Sequence, residues 1–227
     1  MSQYKTPYEK IKPKTQKPYT LIYLIRHCHP DYSVRKKVGD KNMPLSETGK
    51  KQRKLLIGKK LSTLKIDTIY SSELTRALQT ADAFAKKIKK EIIIDNRLNE
   101  IEWNDWYKMK YFNMTDKTRI KRVPKYQKME KELNEFQNHS RRLLADIYQQ
   151  NKGKAVAVFC HGNLIRAMIT GILNTDVIGF LSFEIYQSSV SKLVIDKDGY
   201  IKINYINSIR HLPRKPKEDL FAFAVEQ

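Results

Sequence analysis

Short apolar runs alternate along this chain with longer segments in which apolar positions recur every three or four residues. The short runs are rich in β-branched and aromatic residues and predict strands buried on both faces, over residues 19–25, 66–70, 92–94 and 155–159. The longer segments predict helices over residues 46–62, 73–89, 130–150 and 163–173. This alternation is typical of a three-layer α/β/α domain, in which helices cover both faces of a mainly parallel central sheet.

The C-terminal part of the chain departs from this alternation. Two apolar runs, 185–195 and 200–206, flank Lys197-Asp198-Gly199, and an Asp-Gly step between such runs is a strong hairpin signal. We therefore predict an antiparallel pair of strands there. Upstream, residues 103–129 are rich in Lys, Tyr and Met and have no clear period. We predict a small, partly helical insertion or lid between about 103 and 140.

Two features set the predicted domain organisation. Residues 1–18 combine five lysines with three prolines and contain too little apolar sequence to fold independently, so we predict a flexible basic tail. The remaining residues, 19–227, are few for two independent cores. They predict one domain that carries the insertion.

The formal net charge of +20 attracts phosphate-bearing molecules and acidic surfaces. Because the lysines are spread along the whole chain, we interpret them as a solvated surface, with nucleic-acid binding as a less favoured alternative. No apolar run approaches the roughly 20 residues that span a bilayer, and the start of the chain has no apolar signal core. Two cysteines, Cys28 and Cys160, suit a reducing compartment, so we expect a cytoplasmic protein. None of these patterns selects an oligomeric state.

Two histidines stand just beyond predicted strands. His27 closely follows the first strand run and His161 the last. Ligands of open α/β sheets bind beyond the carboxyl ends of the strands, so these two side chains can converge on one crevice. Gly162 and Asn163 then lead into a predicted helix, and a glycine-bearing turn at a helix N-terminus suits an anion. The pair predicts an active site for a phosphate-bearing ligand.

Two arginines and a glutamate extend this predicted site. Arg26 adjoins His27, Arg76 lies in the first turn of the helix after residues 66–70, and Glu100 follows the run 92–94. Arginine suits phosphoryl oxygens because its planar fork makes two parallel charge-assisted hydrogen bonds. A carboxyl group at the same sheet edge can donate a proton to a leaving group and later accept one from water.

Five motifs occur in order between residues 20 and 195. They cover residues 24–27, 44–49, 70–81, 98–101 and 160–167. Each is weak alone, but their order and spacing make the chain resemble the histidine phosphatase superfamily. The resemblance is to the branch that includes cofactor-dependent phosphoglycerate mutases and many small phosphatases.

The resemblance implies phosphate ester hydrolysis with His27 as the nucleophile, through a phosphohistidine, and Glu100 as the general acid. It places Arg26, Arg76 and His161 around the transferred phosphoryl group. We add Asn163, at the start of the last predicted helix, as a further polar or backbone contact. Such chemistry requires no metal and no other cofactor. The expected partner is a small phosphorylated substrate or a phosphoprotein.

The sequence departs from the family pattern after the nucleophile. Family members usually carry a glycine there, whereas this chain has Cys28-His29-Pro30. The mutases also share a glutamate two residues after that glycine and a downstream Trp-Asn pair, where this chain continues as Asp31-Tyr32. We therefore favour hydrolysis and keep mutase-type phosphoryl transfer as the alternative.

Three further hypotheses fit parts of the pattern. Zinc ligand types occur at His27, Cys28, His29, Cys160 and His161. Adjacent residues leaving a strand point in different directions, however, which suits a metal site poorly. Cys28 and Cys160 hold equivalent positions after two strands, but a disulfide between them is disfavoured in a reducing compartment. A non-catalytic module could hold a phosphorylated partner or nucleic acid through its charge, although the intact set of catalytic residue types argues against it.

Overall fold

The computed structural model describes residues 15–102 and 116–213. Most of the predicted tail and residues 103–115 of the predicted insertion lie outside these ranges. The strands are β1 (Thr20–Arg26), β2 (Thr68–Ser71), β3 (Ile92–Ile94), β4 (Ala155–Cys160), β5 (Val190–Ile195) and β6 (Ile201–Ser208). The helices are α1 (Arg35–Val38), α2 (Glu47–Leu55), α3 (Thr75–Ile88), α4 (Asp116–Gln150), α5 (Gly162–Leu173) and α6 (Val177–Ser182).

The strands form one sheet in the order β3-β2-β4-β1-β5-β6. The pairs β1–β4, β2–β4 and β2–β3 are parallel, and β5 and β6 add an antiparallel edge. The predicted mainly parallel sheet and the predicted C-terminal hairpin are therefore confirmed. Gly199 adopts a φ of +89° in the hairpin turn, a conformation that glycine adopts without steric cost.

Two apolar clusters cover the two faces of the sheet. On one face, Ile22 and Leu24 of β1 pack with residues of α4, α5 and α6. On the other, Tyr23 and Ile25 pack with Phe84 of α3 and with residues just before and just after α2. Alternate residues of β1 thus point into opposite cores, which explains why this strand reads as a continuous apolar run. For β3 the predicted burial on both faces is wrong, because it is an edge strand in which Ile93 and Ile94 are exposed. The three-layer α/β/α architecture is confirmed.

The predicted helix over 46–62 is interrupted in the structure. Helix α2 ends at Leu55 and continues as a π-helical turn, Leu56–Lys60, and a 3₁₀ turn, Leu61–Thr63. A π turn places residues five apart on one side, and Leu56 and Leu61 are both completely buried. The apolar spacing therefore continues although the regular α-helix stops.

Two other boundaries differ from the prediction. The strand predicted from 185 begins only at Val190, because residues 186–189 form a turn in which Ser189 N–H donates to the carbonyl of Tyr186. Helix α4 is one continuous helix from residue 116, well before the predicted start at 130. Among the helices described, none is both long enough and apolar enough to cross a membrane.

Gly49 in α2 is required by close packing. Ser46 caps the helix by accepting a hydrogen bond from Gly49 N–H, and a Cβ on Gly49 would clash with the carbonyl oxygen of His29. We expect Gly49→Ala to lower the free energy of unfolding by about 1–3 kcal/mol, the usual cost of overpacking. Urea denaturation measures this change. Gly58→Ala is the matched control, because no atom lies within 4 Å of its Cβ position, and equal losses in both variants would contradict the packing argument.

Candidate active site

The carboxyl ends of β1 and β4 bring His27 and His161 together. These strands are parallel neighbours with Arg26 opposite Cys160, so the next residue on each strand is a histidine. The two rings are 5.0 Å apart between centroids, at an interplanar angle of 53°. Both side chains are buried. The predicted convergence of the two histidines is therefore present in the structure.

The ring of His27 has one nitrogen engaged by the backbone. Its Nδ1 lies 2.8 Å from the carbonyl oxygen of Cys28. A carbonyl can only accept, so Nδ1 carries the hydrogen and Nε2 of the neutral ring keeps its lone pair. Burial, then the nearby His161, Arg26 and Arg76, hold the pKa of His27 well below its usual value. The ring is thus neutral, with an unprotonated nitrogen at Nε2.

Arg26 is fixed on one side of the two histidines. Its Nη1 donates to the carbonyl oxygen of Ile185, while its buried Nε has no hydrogen-bond partner among the described residues. The guanidinium passes over Gly162, where a Cβ would lie 3.2 Å from Nε. Glycine at this position therefore leaves room for the arginine beside the site.

Arg76 reaches the site from the first turn of α3. Its side chain is only 5% exposed, and its Nη2 lies 3.0 Å from Oδ2 of Asp40. Its Nη1 also donates to the carbonyl oxygen of Asp40 at 2.8 Å. No sequence pattern points to Asp40, because it lies in a loop segment without periodicity or family motif. Through these two contacts, Asp40 fixes the orientation of the Arg76 guanidinium.

Glu100 binds the N-terminus of α5. Its Oε1 accepts hydrogen bonds from the backbone N–H groups of Ile101, Asn163 and Leu164 at 3.0, 3.1 and 3.3 Å. Two amides of the helix terminus predicted to hold the ligand's phosphate therefore donate to a carboxyl group of the protein itself, and phosphate binding there stays a prediction. Burial raises the pKa of Glu100 despite the opposing effect of Arg26 and of these hydrogen bonds.

The side chain of Asn163 is engaged with protein groups. Its Nδ2 donates to the carbonyl oxygen of Ile101 at 3.1 Å, and its Oδ1 accepts from Nη1 of Arg166 at 3.3 Å. These contacts hold the segment after Glu100 against α5. The phosphate contact predicted for Asn163 stays a prediction.

Cys28 and Cys160 are both free and buried. They belong to different apolar clusters, on opposite faces of the sheet, so the alternative of a disulfide between them is wrong. Burial raises the pKa of Cys28 to about 12 and also raises the pKa of Cys160, which keeps both thiols protonated and unsuited to zinc. Within the described ranges, no three His, Cys, Asp or Glu side chains form a group that could hold a metal ion.

Several known proteins are similar to this chain, and three of them illustrate the range. Phosphoserine phosphatase 1 of Hydrogenobacter thermophilus is 29% identical over 188 residues, which cover 78% of this chain and 87% of that protein. Phosphoglycerate mutase-like protein 4 of Arabidopsis thaliana is 25% identical over 187 residues, covering 73% and 81% of the two chains. The crystal structure of a phosphoserine phosphatase mutant of Entamoeba histolytica, in complex with phosphoserine, superposes with a TM-score of 0.65 at 22% identity. It covers 85% of this chain and 99% of that one.

The structure from Entamoeba histolytica supports the fold of this chain. A sequence model of a protein family supports its family membership. The model of the histidine phosphatase superfamily, branch 1, matches residues 22–208. This match includes all six strands except the first residues of β1. It also contains both histidines and both arginines of the site. The chain belongs to the histidine phosphatase superfamily.

Proposed function

We propose that this protein hydrolyses phosphate monoesters through a phosphohistidine on His27, with Glu100 as general acid and base. The observation that carries the proposal is the neutral ring of His27, whose Nδ1 is held by a backbone carbonyl and whose Nε2 is left for attack. Two buried polar atoms beside it, Nε of Arg26 and Nδ1 of His161, have no partner within the described chain. Buried polar groups are nearly always paired, so these two atoms suit a polar ligand.

The proposed first step transfers the phosphoryl group to the protein. Nε2 of His27 attacks phosphorus, the bond to the ester oxygen breaks, and Glu100 donates its proton to the departing oxygen. The guanidinium groups of Arg26 and Arg76 offset the charge on the equatorial phosphoryl oxygens. In the second step, Glu100 removes a proton from water, the oxygen attacks phosphorus, and the bond to Nε2 breaks to release phosphate.

The proposed substrate is a small phosphorylated molecule, and phosphoserine is the first to test. The relative from Hydrogenobacter thermophilus is named for phosphoserine, and the structure from Entamoeba histolytica contains it. A phosphopeptide carries the same ester and is the second substrate to test.

Mutase-type transfer is the alternative, because one of the relatives is named as mutase-like. The segment after the nucleophile differs from the mutase pattern, and it is firmly held. His29 N–H donates to Oε1 of Gln52 at 2.8 Å, and the ring Nδ1 lies 2.8 Å from Oγ of Ser46. Hydrolysis is favoured because this segment lacks the glycine and the glutamate that the mutases share.

Purified protein should release inorganic phosphate from p-nitrophenyl phosphate and from phosphoserine. Turnover should survive chelating agents, because the proposed step uses only protein groups, and orthovanadate should inhibit it by mimicking the five-coordinate transition state. A colorimetric phosphate assay measures the release. Ligand binding without turnover would favour the binding module, and transfer between phosphoglycerates without phosphate release would favour the mutase. Recovery of a chelated, inactive protein by zinc would instead revive the metal hypothesis.

A further inference from the structure

A chain of hydrogen bonds connects the buried ring of His161 with the protein surface. Nε2 of His161 lies 2.8 Å from Oγ of Ser72, which donates to Oδ1 of Asn99 at 2.8 Å. Nδ2 of Asn99 donates to Oε1 of Glu73 at 2.9 Å, and Oε2 of Glu73 pairs with Nζ of Lys41 at 2.7 Å. The two proposed catalytic steps assign no role to any group of this hydrogen-bond chain.

The ionised end of this chain determines the direction of every hydrogen bond in it. The Lys41 ammonium and the Asn99 amide hold the pKa of Glu73 below its usual value, so its carboxylate can only accept. Asn99 must then turn its NH₂ group toward Glu73 and its carbonyl oxygen toward Ser72. The Ser72 hydroxyl donates to that oxygen, so its lone pairs are left for hydrogen-bond donors.

Two donors use those lone pairs. One is the backbone N–H of Leu74, 3.1 Å from Oγ of Ser72. The other is the ring of His161, whose Nε2 must therefore carry the hydrogen. Nδ1 of the neutral ring is then a bare lone pair, and this atom is buried without a hydrogen-bond partner in the described part of the chain. Burial, followed by the charges of Arg76 of α3 and Arg26 of β1, holds the pKa of His161 well below its usual value. The titratable ring of His27 also faces it, 5.0 Å away between centroids.

We propose that Ser72, Asn99 and Glu73 are positioning residues that keep the proton of His161 on Nε2, so that Nδ1 binds the phosphoryl group only together with one additional proton. This inference rests on the proposed function, because it needs the phosphoryl group to lie at His161. A bare lone pair repels a dianionic oxygen. The bond forms when the phosphoryl group arrives as the monoanion with its own O–H, or when a proton from solution protonates Nδ1. In both routes one proton is taken up for each phosphate dianion that binds.

Calorimetric titration of the protein with inorganic phosphate at about pH 8.5 counts this proton. Phosphate is then almost entirely a dianion, and Nδ1 is unprotonated. The observed binding enthalpies in buffers of different ionisation enthalpy should give an uptake of about one proton per phosphate bound. At about pH 5.5 phosphate already carries the proton, and the uptake should fall toward zero. Binding at about pH 8.5 without proton uptake would overturn the proposal.

Glu73→Gln tests whether the carboxylate at the end of the hydrogen-bond chain sets the tautomer of His161. The neutral amide that replaces the carboxylate can donate as well as accept, so the Asn99 amide can turn over and the Ser72 hydroxyl can donate to Nε2. The proton of His161 then moves to Nδ1, which donates directly to a phosphate dianion. We expect the proton uptake at about pH 8.5 to fall from about one toward zero. Glu47→Gln is the matched control, because Glu47 is also a carboxylate paired with a lysine but lies outside the hydrogen-bond chain, and it should leave the uptake unchanged.

Nitrogen-15 NMR of histidine-labelled protein gives a readout that does not depend on activity. The ligand-free protein should show His161 with a protonated Nε2 and an unprotonated Nδ1, and Glu73→Gln should shift this ratio toward the other tautomer. A protonated Nδ1 in the unmodified protein would refute the positioning role even if phosphatase activity is found. Absence of phosphate binding and of turnover, with the Nε2 tautomer observed, would instead remove the proposed function and leave the hydrogen-bond chain standing.

Discussion

His27→Ala should abolish phosphatase turnover, with a loss of about 10⁴-fold or more, because no other group can form the covalent intermediate. Its neighbour His161, 5.0 Å away between ring centroids, is proposed to contact the phosphoryl oxygens through Nδ1 and not to attack phosphorus. Rapid quenching of the unmodified protein with a ³²P-labelled substrate should trap acid-labile label on His27. Label on any other residue would remove His27 from the nucleophilic role.

Substitution of the groups around the phosphoryl site should be less severe. Arg76→Ala and His161→Ala should each lower kcat/KM by about 10²–10³-fold, the usual effect of removing one group that stabilises the transition state. Arg141→Ala is the matched control for Arg76. Arg141 is a partly buried arginine that, like Arg76, donates to a carbonyl, in this case that of Gly171. This carbonyl lies near the end of α5 that is remote from His161. Similar activity losses in both arginine variants would indicate a general structural effect, which thermal unfolding would detect.

The convergence of the two histidines was predictable from the sequence because it depends on local rules. A strand buried on both faces reads as an apolar run, and the first polar residue after it marks a carboxyl end. His27 and His161 each stand just beyond such a run. The sequence pattern does not contain the strand order, however. That β1 pairs with β4, and not with a nearer strand in sequence, is decided by packing between distant segments.

The surroundings of these histidines were less predictable, because they too depend on packing between segments that are distant in the sequence. A helix N-terminus attracts an anion, but sequence alone does not distinguish a ligand from a carboxylate of the protein. The structure places Glu100 at the N-terminus of α5, where its carboxyl group meets the backbone of Asn163, 63 residues further along the chain. Asp40 has no signal in the sequence because its contact with Arg76 also joins segments without a shared pattern.

Glu100→Gln is the most selective of the substitutions that the site suggests. Oε1 of Glu100 accepts three backbone hydrogen bonds, and the carbonyl oxygen of glutamine can accept the same three. The substitution therefore preserves the link to α5 and removes only the ability to transfer a proton. Glu102→Gln, at an exposed carboxylate two residues further along, is the matched control and should leave all rates unchanged.

The effect of Glu100→Gln should depend on the leaving group. An alkoxide is too basic to depart without a proton, so phosphoryl transfer from an alkyl phosphate such as phosphoserine should slow by about 10²–10⁴-fold, the usual range for positioned proton transfer. The nitrophenolate of p-nitrophenyl phosphate departs readily without a proton, and its transfer should slow much less. Because burial raises the pKa of Glu100, the acid form persists to higher pH than in an ordinary glutamate. The alkyl rate of the unmodified protein should fall as pH rises through that pKa, and the variant should lose this dependence.

Single-turnover kinetics are needed for this comparison, because the same carboxylate activates water in the second step and would slow both substrates equally in the steady state. With p-nitrophenyl phosphate, the variant should release nitrophenol in a burst and then accumulate the phosphohistidine, since its hydrolysis requires a base. Quenched-flow measurement of the labelled intermediate follows both phases. If the first step slows equally for the alkyl and the aryl ester, Glu100 does not protonate the leaving group. If no phosphoenzyme accumulates while the burst persists, a different group activates the water.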